Sequence, residues 1–225
     1  MGETIKLTSA ADGFEFSAYH EPSFTPRKGG VIVIQEIFGI DQYVRADVAR
    51  WAKAGYEAIA PALFDRREPG FTAEHDPAGI AAGIAHARAT TLEQALADIG
   101  ACRDFLATRG KVCVVGYCYG GSLAWISAGR LEGLAASSSY YGSMVAANAA
   151  LTPKCPTIVH LGRTDPGIPA DDVEAAVKAA NPDVPVYIYE GAGHGFNNES
   201  PERYSAEAAD LARARTRELF AQAVA

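Results

Sequence analysis

The sequence predicts an α/β protein with a mostly parallel sheet of about eight strands and helices on both faces. Three observations carry this. Short apolar runs, Val31-Ile-Val-Ile34 and Val112-Cys-Val-Val115, are of the kind found in strands covered on both sides, where neither set of alternating side chains meets water. Amphipathic helical patterns lie between the strand-like runs, and a parallel neighbour is reached only through such a crossover. The stretch Lys111–Ser122 holds the same order in one short segment: strand, glycine-rich turn, helix.

Ile5-Lys-Leu7 and Phe14-Glu-Phe-Ser-Ala-Tyr19 alternate apolar and polar residues around Asp12-Gly13 and read as an antiparallel hairpin that starts the sheet. Pro22–Gly30 is a loop before the Val31–Ile34 strand, and Gln35-Glu-Ile-Phe-Gly39 is the loop after it. Asp41–Ala54 repeats Val44, Val48 and Trp51 on one helical face and stops at Gly55. Tyr56–Ala60 is a strand ended by Pro61. Leu63–Ala89 carries little periodicity; its Ala/Gly-rich second half is helical in pattern and suits a lid or a pocket wall. Thr91–Arg109 is an amphipathic helix, with Leu92, Leu96, Ile99, Phe105 and Leu106 on its apolar face and Gly110 at its end. Beyond the glycine-rich turn, Leu134–Tyr141, Thr157–Leu161 and Val184–Glu190 are strands, and Pro169–Ala180 and Glu202–Val224 are helices. No internal repeat or linker interrupts the pattern, so one domain spanning residues 1–225 is expected.

A chain of 225 residues can bury a substantial core without staples. Its formal net charge of −7 argues against a general nucleic-acid-binding surface. No stretch approaches the roughly 20 apolar residues of a membrane span. The expected partner is a small-molecule substrate, with no nucleic acid and no membrane, and the expected assembly is a monomer or weak homodimer. Met1-Gly-Glu-Thr-Ile-Lys6 lacks the basic and apolar regions of a signal peptide. Cys102, Cys113, Cys118 and Cys155 form neither a CxxC pair nor a zinc-finger spacing with histidine, which fits reduced thiols in the cytoplasm. Cys102 and Cys113, inside a helix and a strand, read as small core residues.

The chemistry centres on Gly116-Tyr-Cys-Tyr-Gly-Gly121. Strand, sharp turn and helix in that order make a nucleophile elbow, with Cys118 where G-x-S-x-G places serine. The nucleophile of such a turn sits in a strained backbone conformation, and side chains at Gly116 or Gly120 would collide with the neighbouring strand or helix. In a sheet of this kind functional groups gather beyond the strand carboxyl ends. Asp165, in Leu161-Gly-Arg-Thr-Asp-Pro166, and His194, in Gly191-Ala-Gly-His-Gly-Phe196, occupy such loops. The order nucleophile, acid, histidine is that of α/β-hydrolases. A thiol is only slightly ionised near neutrality and needs a proton acceptor, an imidazole can take that proton and return it, and a carboxylate fixes the imidazole tautomer. Asp171 and Asp172 compete with Asp165, but they begin a helix, where N-capping accounts for them. His20, His75, His86 and His160 read as structural or surface residues and make no metal set with carboxylates. Oxyanion donors are expected at the backbone N–H of Tyr119, which follows the nucleophile, and of Ile37, in the loop after Val31–Ile34. Glu36 in that loop either pairs with a base such as Arg45 or faces the Cys118 thiol.

Gln35-Glu-Ile-Phe-Gly39, Gly116-Tyr-Cys-Tyr-Gly-Gly121, Tyr140-Tyr-Gly142, the Asp165 loop and Gly193-His-Gly-Phe196 together resemble the dienelactone hydrolases, or carboxymethylenebutenolidases, over nearly the whole chain. The resemblance implies a single-domain α/β-hydrolase fold and a Cys-His-Asp triad without cofactor or metal. It also implies hydrolysis of an enol-lactone from the breakdown of aromatic compounds. Cys118 is then the nucleophile, His194 the base and Asp165 its orienter. Glu36 holds the resting thiol and takes its proton when substrate enters. Phe38, Tyr141, Phe196 and Asn198 are the substrate-binding residues, with a core role as the alternative for Tyr141.

One departure stands out. Family members that act on dienelactone grip its carboxylate with two arginines. Here Asn197-Asn198 stand in one of those places, and His75-Asp-Pro-Ala-Gly-Ile-Ala-Ala-Gly83, without a Lys or Arg, in the other. Arg66, Arg67 and Arg88 are the candidate substitutes. The resemblance leaves open acyl transfer or thioesterase chemistry at the same triad, and a redox-sensing or binding role for the elbow thiol.

Overall fold

The computed structural model describes residues 2–225. Eight strands form one sheet: β1 (Glu3–Thr8), β2 (Glu15–Glu21), β3 (Gly29–Ile34), β4 (Tyr56–Pro61), β5 (Val112–Tyr117), β6 (Leu134–Tyr140), β7 (Thr157–Gly162) and β8 (Val186–Tyr189). Six α-helices accompany them: α1 (Gln42–Lys53), α2 (Pro77–Ala89), α3 (Leu92–Ala107), α4 (Tyr119–Arg130), α5 (Ala170–Ala180) and α6 (Ala206–Val224). The strand order is β1-β2-β4-β3-β5-β6-β7-β8. Strands β3, β4, β5 and β7 are buried at every residue. Successive side chains point to opposite faces, so these strands are covered on both sides. Among the described residues no helix is long and apolar enough to cross a membrane. The chain divides inside β5 into two compact units, the first ending at Val114 and the second running from Val115 to Ala225.

In the first unit β1 pairs antiparallel with β2 and β2 with β4, while β3 and β4 run parallel. Helix α1 starts at Asp41, whose carboxylate accepts from the Tyr43 and Val44 amides at 3.0 and 2.9 Å. It buries Val44, Val48 and Trp51, the residues of the predicted stripe. Helix α3 begins with a reciprocal capping box between Thr91 and Gln94. The poorly patterned stretch 63–89 resolves into turns and α2, laid against the loop after β3. Ala73 N–H donates to Phe38 O at 3.1 Å, Gly39 bridges Thr72, and a Cβ on Gly83 would lie 2.2 Å from Ile37 O. These are backbone contacts made through glycine and alanine, which is why no hydrophobic periodicity announces them. Arg66 is committed to the fully buried Asp98 at 2.7 Å and to Asp12 at 2.5 Å, and Arg67 to the Ala89 carbonyl at 3.1 Å. Arg88 is exposed in the last turn of α2.

In the second unit β6, β7 and β8 are parallel neighbours. Two helix starts differ from the sequence expectation. Helix α6 begins at Ala206 instead of Glu202, because the Arg203 and Tyr204 amides turn back onto the Ser200 carbonyl at 3.2 and 3.1 Å. Helix α5 has Pro169 at its N-cap with no side-chain cap, so Asp171 and Asp172 lie in its first turn and do not cap it. There their charge favours the positive end of the helix dipole, and Asp171 pairs with Arg163 at 2.6 Å.

Candidate active site

Strand β5 ends at Tyr117, α4 begins at Tyr119, and Cys118 stands alone between them. Its φ of 54° and ψ of −112° are a conformation that a side chain adopts only under restraint. The restraint is visible. Cys118 N–H donates to Tyr140 O at 3.0 Å, Ser122 N–H donates to Cys118 O at 3.0 Å, and the turn is compressed between backbones. A Cβ on Gly116 would lie 2.0 Å from Gly120 O, and one on Gly121 2.1 Å from Tyr140 O. Glycine is required at both places to let the strand, the helix and the end of β6 approach. Cys118 is partly exposed, whereas Cys102 and Cys113 are buried. Tyr119 is the first residue of α4, so its N–H lies at the positive end of the helix dipole.

The Asp165 carboxylate is almost fully buried, and its two oxygens have separate tasks. Oδ1 accepts from the Gly167 amide at 2.9 Å, and Oδ2 meets His194 Nδ1 at 2.7 Å. The other ring nitrogen, Nε2, is left for Cys118, the second hydrogen-bonding partner of the imidazole. Burial of the ring opposes its protonation. The hydrogen bonds to Asp165 and Cys118, and their charges, outweigh burial and push His194 up to about 10. Cys118, Asp165 and His194, distant in sequence, therefore form one cluster within the second unit.

The other expected site residues fall as follows. Tyr141 has a φ of 38° and packs its ring edge-on against His194, centroids 5.2 Å apart. Phe196 has no exposed surface and packs among Tyr140, Tyr141 and Tyr189. Its covered ring packs edge-on against Tyr141, with centroids 5.2 Å apart, and supports it from behind. Asn198 Oδ1 accepts from Ser200 N–H at 3.1 Å and staples the turn after the histidine. Glu36, Ile37 and Phe38 lie in the first unit, in the turn after β3. The Phe38 ring stacks on His75 at 3.7 Å, and His75 Nε2 meets Asp41 Oδ2 at 2.7 Å. Arg45 donates to the Ile40 carbonyl and lies over Tyr19, centroid 4.4 Å away. Among the described residues no group of three or more His, Cys, Asp or Glu side chains is placed to hold a metal ion.

Sequence reasoning missed a buried polar network that secures the strand holding Cys118. Arg215 donates to Tyr189 OH at 3.1 Å, so that hydroxyl gives its own proton to His160 Nδ1 at 2.8 Å. His160 therefore carries its proton on Nε2 and donates to Thr216 Oγ1 at 3.1 Å. Burial, helped by the Arg215 charge, lowers His160 to about 3 and keeps it neutral. Tyr140 OH and Ser138 Oγ meet the same threonine oxygen at 2.7 and 2.9 Å. Tyr140 is thus held at its ring by α6 while its carbonyl holds Cys118. The signal was a lone threonine on a face of α6 otherwise made of Ala208, Ala209, Ala212 and Phe220.

Known proteins resemble this chain over nearly its whole length. The model of the family described as the dienelactone hydrolase family matches residues 16–224. The chain is 31% identical to a carboxymethylenebutenolidase of Pseudomonas putida over 231 residues, covering 98% of this chain and 97% of that protein. It is 33% identical over 237 residues to a Synechocystis sp. protein with a provisional carboxymethylenebutenolidase assignment, covering 97% and 96% of the two chains. A crystal structure of a Klebsiella pneumoniae protein, provisionally described as a dienelactone hydrolase, superposes with a TM-score of 0.83 at 27% identity, covering 99% of both chains.

Proposed function

Since the chain belongs to the dienelactone hydrolase family, we propose that it hydrolyses a lactone or carboxylic ester through an acyl-cysteine intermediate at Cys118. The observation that carries this reading is the His194 imidazole, fixed through Nδ1 by Asp165 and facing Cys118 with Nε2. A ring held in this way, raised to about 10, is an imidazolium near neutral pH and stabilises the Cys118 thiolate once the thiol proton has passed to Glu36. The thiolate attacks the acyl carbon, and the carbonyl oxygen becomes an oxyanion that accepts from Tyr119 N–H at the start of α4. As the C–O bond breaks, the imidazolium gives its Nε2 proton to the leaving oxygen. The neutral imidazole then takes a proton from water, whose oxygen attacks the thioester. The product leaves as a carboxylic acid that loses its proton to solvent, the Cys118 thiolate is released, and the imidazolium is restored.

Ile37 N–H as second oxyanion donor, and Glu36 as the acceptor of the resting thiol proton, belong to the same proposal. They rest on the loop after β3 and on the family resemblance. Mass spectrometry of the protein quenched during turnover of an activated aryl ester tests the nucleophile. An acyl mass on the peptide carrying Cys118 is expected, and a Cys118→Ala variant with undiminished turnover would sink the reading. Glu36→Gln tests the resting role: Cys118 alkylation that is unaltered from pH 6 to 9 removes Glu36 from the mechanism.

A further inference from the structure

We propose that Arg213, on α6, is the positioning residue for His194, and that it references the base to the same helix that secures the nucleophile. His194 sits in the loop between β8 and α6, followed by Gly195 at a φ of +77°. A loop histidine of this kind has its ring set by Asp165 at one end, but its backbone must be set by something else. Thr164 N–H, donating to Ala192 O at 2.9 Å, holds the chain before the histidine, and Arg213 holds the chain after it. Its Nε donates to Asn197 Oδ1 at 2.7 Å and its Nη2 to Asn197 O at 2.9 Å, with Glu199 Oε1 3.0 Å from the same Nη2. A planar, always-charged guanidinium that binds the side-chain and main-chain oxygens of one residue fixes both its rotamer and its peptide plane. The grip is mostly buried: the Arg213 side chain is 12% exposed and Asn197 is 7% exposed. Asn198 N–H to Gly195 O at 2.8 Å and Ser205 N–H to Phe196 O at 3.0 Å tie the segment between Asn197 and His194 into the same rigid turn.

Helix α6 is a fixed reference for this grip. Thr216, three residues beyond Arg213, is anchored to Tyr140, whose carbonyl holds the Cys118 amide. Base and nucleophile are therefore located from one helix, Cys118 through Tyr140 and Thr216, His194 through Asn197 and Arg213. The inference rests on the acyl-cysteine reading for its kinetic effect but not for its structural one.

The test uses Arg213→Met, Asn197→Leu, the double variant and Arg213→Lys. A displacement near 1 Å of a catalytic group costs up to about 100-fold. Ester hydrolysis by Arg213→Met is therefore expected to show kcat lowered about 10- to 100-fold with KM within about 2-fold. The double variant should be no slower than the worse single one, and Arg213→Lys should recover part of the rate. Proton NMR should show the downfield Nδ1–H signal of the His194–Asp165 bond in the wild type and its loss to exchange in Arg213→Met. That signal needs no turnover, so it reads the positioning role even if Cys118 proves not to be the nucleophile; Cys118→Ala kinetics decide that separately. A folded Arg213→Met protein with wild-type kcat and an undisturbed downfield signal overturns the proposal. So does a double variant whose losses multiply.

Discussion

Asp165→Asn is the substitution for which the structure gives the sharpest expectation. The change is nearly isosteric, and the Asp165 carboxylate is almost fully buried, so the new amide must take its orientation from its neighbours. Gly167 N–H points at the position of Oδ1 from 2.9 Å. It demands an acceptor there, which places the amide oxygen on Gly167 and turns the NH2 group toward His194 Nδ1, 2.7 Å from the other position. An NH2 donor requires a lone pair on Nδ1. The imidazole is then forced into the tautomer with its proton on Nε2, the nitrogen that must take a proton from water during deacylation. The imidazolium is opposed as well, since its Nδ1–H would face another donor. A wrong tautomer of this type costs about 10³- to 10⁴-fold in kcat/KM, or about 4–5.5 kcal/mol of barrier. The assay is stopped-flow turnover of an activated aryl ester near neutral pH, with nitrogen-15 NMR of the His194 ring reporting the tautomer. A variant that keeps more than a tenth of the wild-type rate would refute the reasoning, as would one whose neutral His194 still carries its proton on Nδ1.

Three further outcomes are expected. The two histidines shift in opposite directions and should bracket a stability maximum. His194, raised to about 10, contributes stability that is full below its unfolded value of about 6.5 and is lost as pH rises through 10. His160, lowered to about 3, is protonated first in the unfolded chain, so stability falls as pH drops from about 6.5 toward 3. Urea titrations should show a flatter alkaline limb for His194→Gln and a flatter acid limb for His160→Gln, and unchanged limbs would contradict both. Thr216→Val replaces the oxygen shared by Ser138, Tyr140 and His160 with a methyl group. It should destabilise the fold by about 2–4 kcal/mol in urea unfolding, because buried polar atoms lose their partner. Dienelactone itself should be a poor substrate, since Arg66 and Arg67 are bound within the first unit and Asn197 is bound to Arg213; a kcat/KM above about 10⁴ M⁻¹s⁻¹ would count against that.

Much of the fold was readable because burial imposes short periods on the sequence. The apolar runs Val31–Ile34 and Val112–Val115 had to be strands covered on both faces, and Val44, Val48 and Trp51 had to line one side of a helix. Asp41 and Thr91 marked their helices because an N-cap needs a short acceptor side chain. The segment 63–89 was unreadable because it is held by backbone contacts to Phe38, Gly39 and Ile37, and contacts of that kind leave no side-chain pattern. The start of α6 was misplaced because a turn closed on the Ser200 carbonyl looks, residue by residue, like a first helical turn.

By itself the sequence determined the α/β class, the elbow at Cys118 and the choice of Asp165 and His194 as its partners. Each follows from a local rule: apolar runs for covered strands, glycine where backbones must touch, and loop positions after strands for chemistry. Only the tertiary structure decided how those groups are held. It showed that one oxygen of Asp165 is reserved for a backbone amide and the other for His194, that Phe196 is a covered support, and that Thr216 and Arg213 of α6 reach the strand beside Cys118 and the loop after His194. The physical reason is that hydrogen-bond partners are chosen by distance and direction in space. Thr216, 98 positions beyond Cys118, carries no mark in the sequence of the tyrosine it will hold.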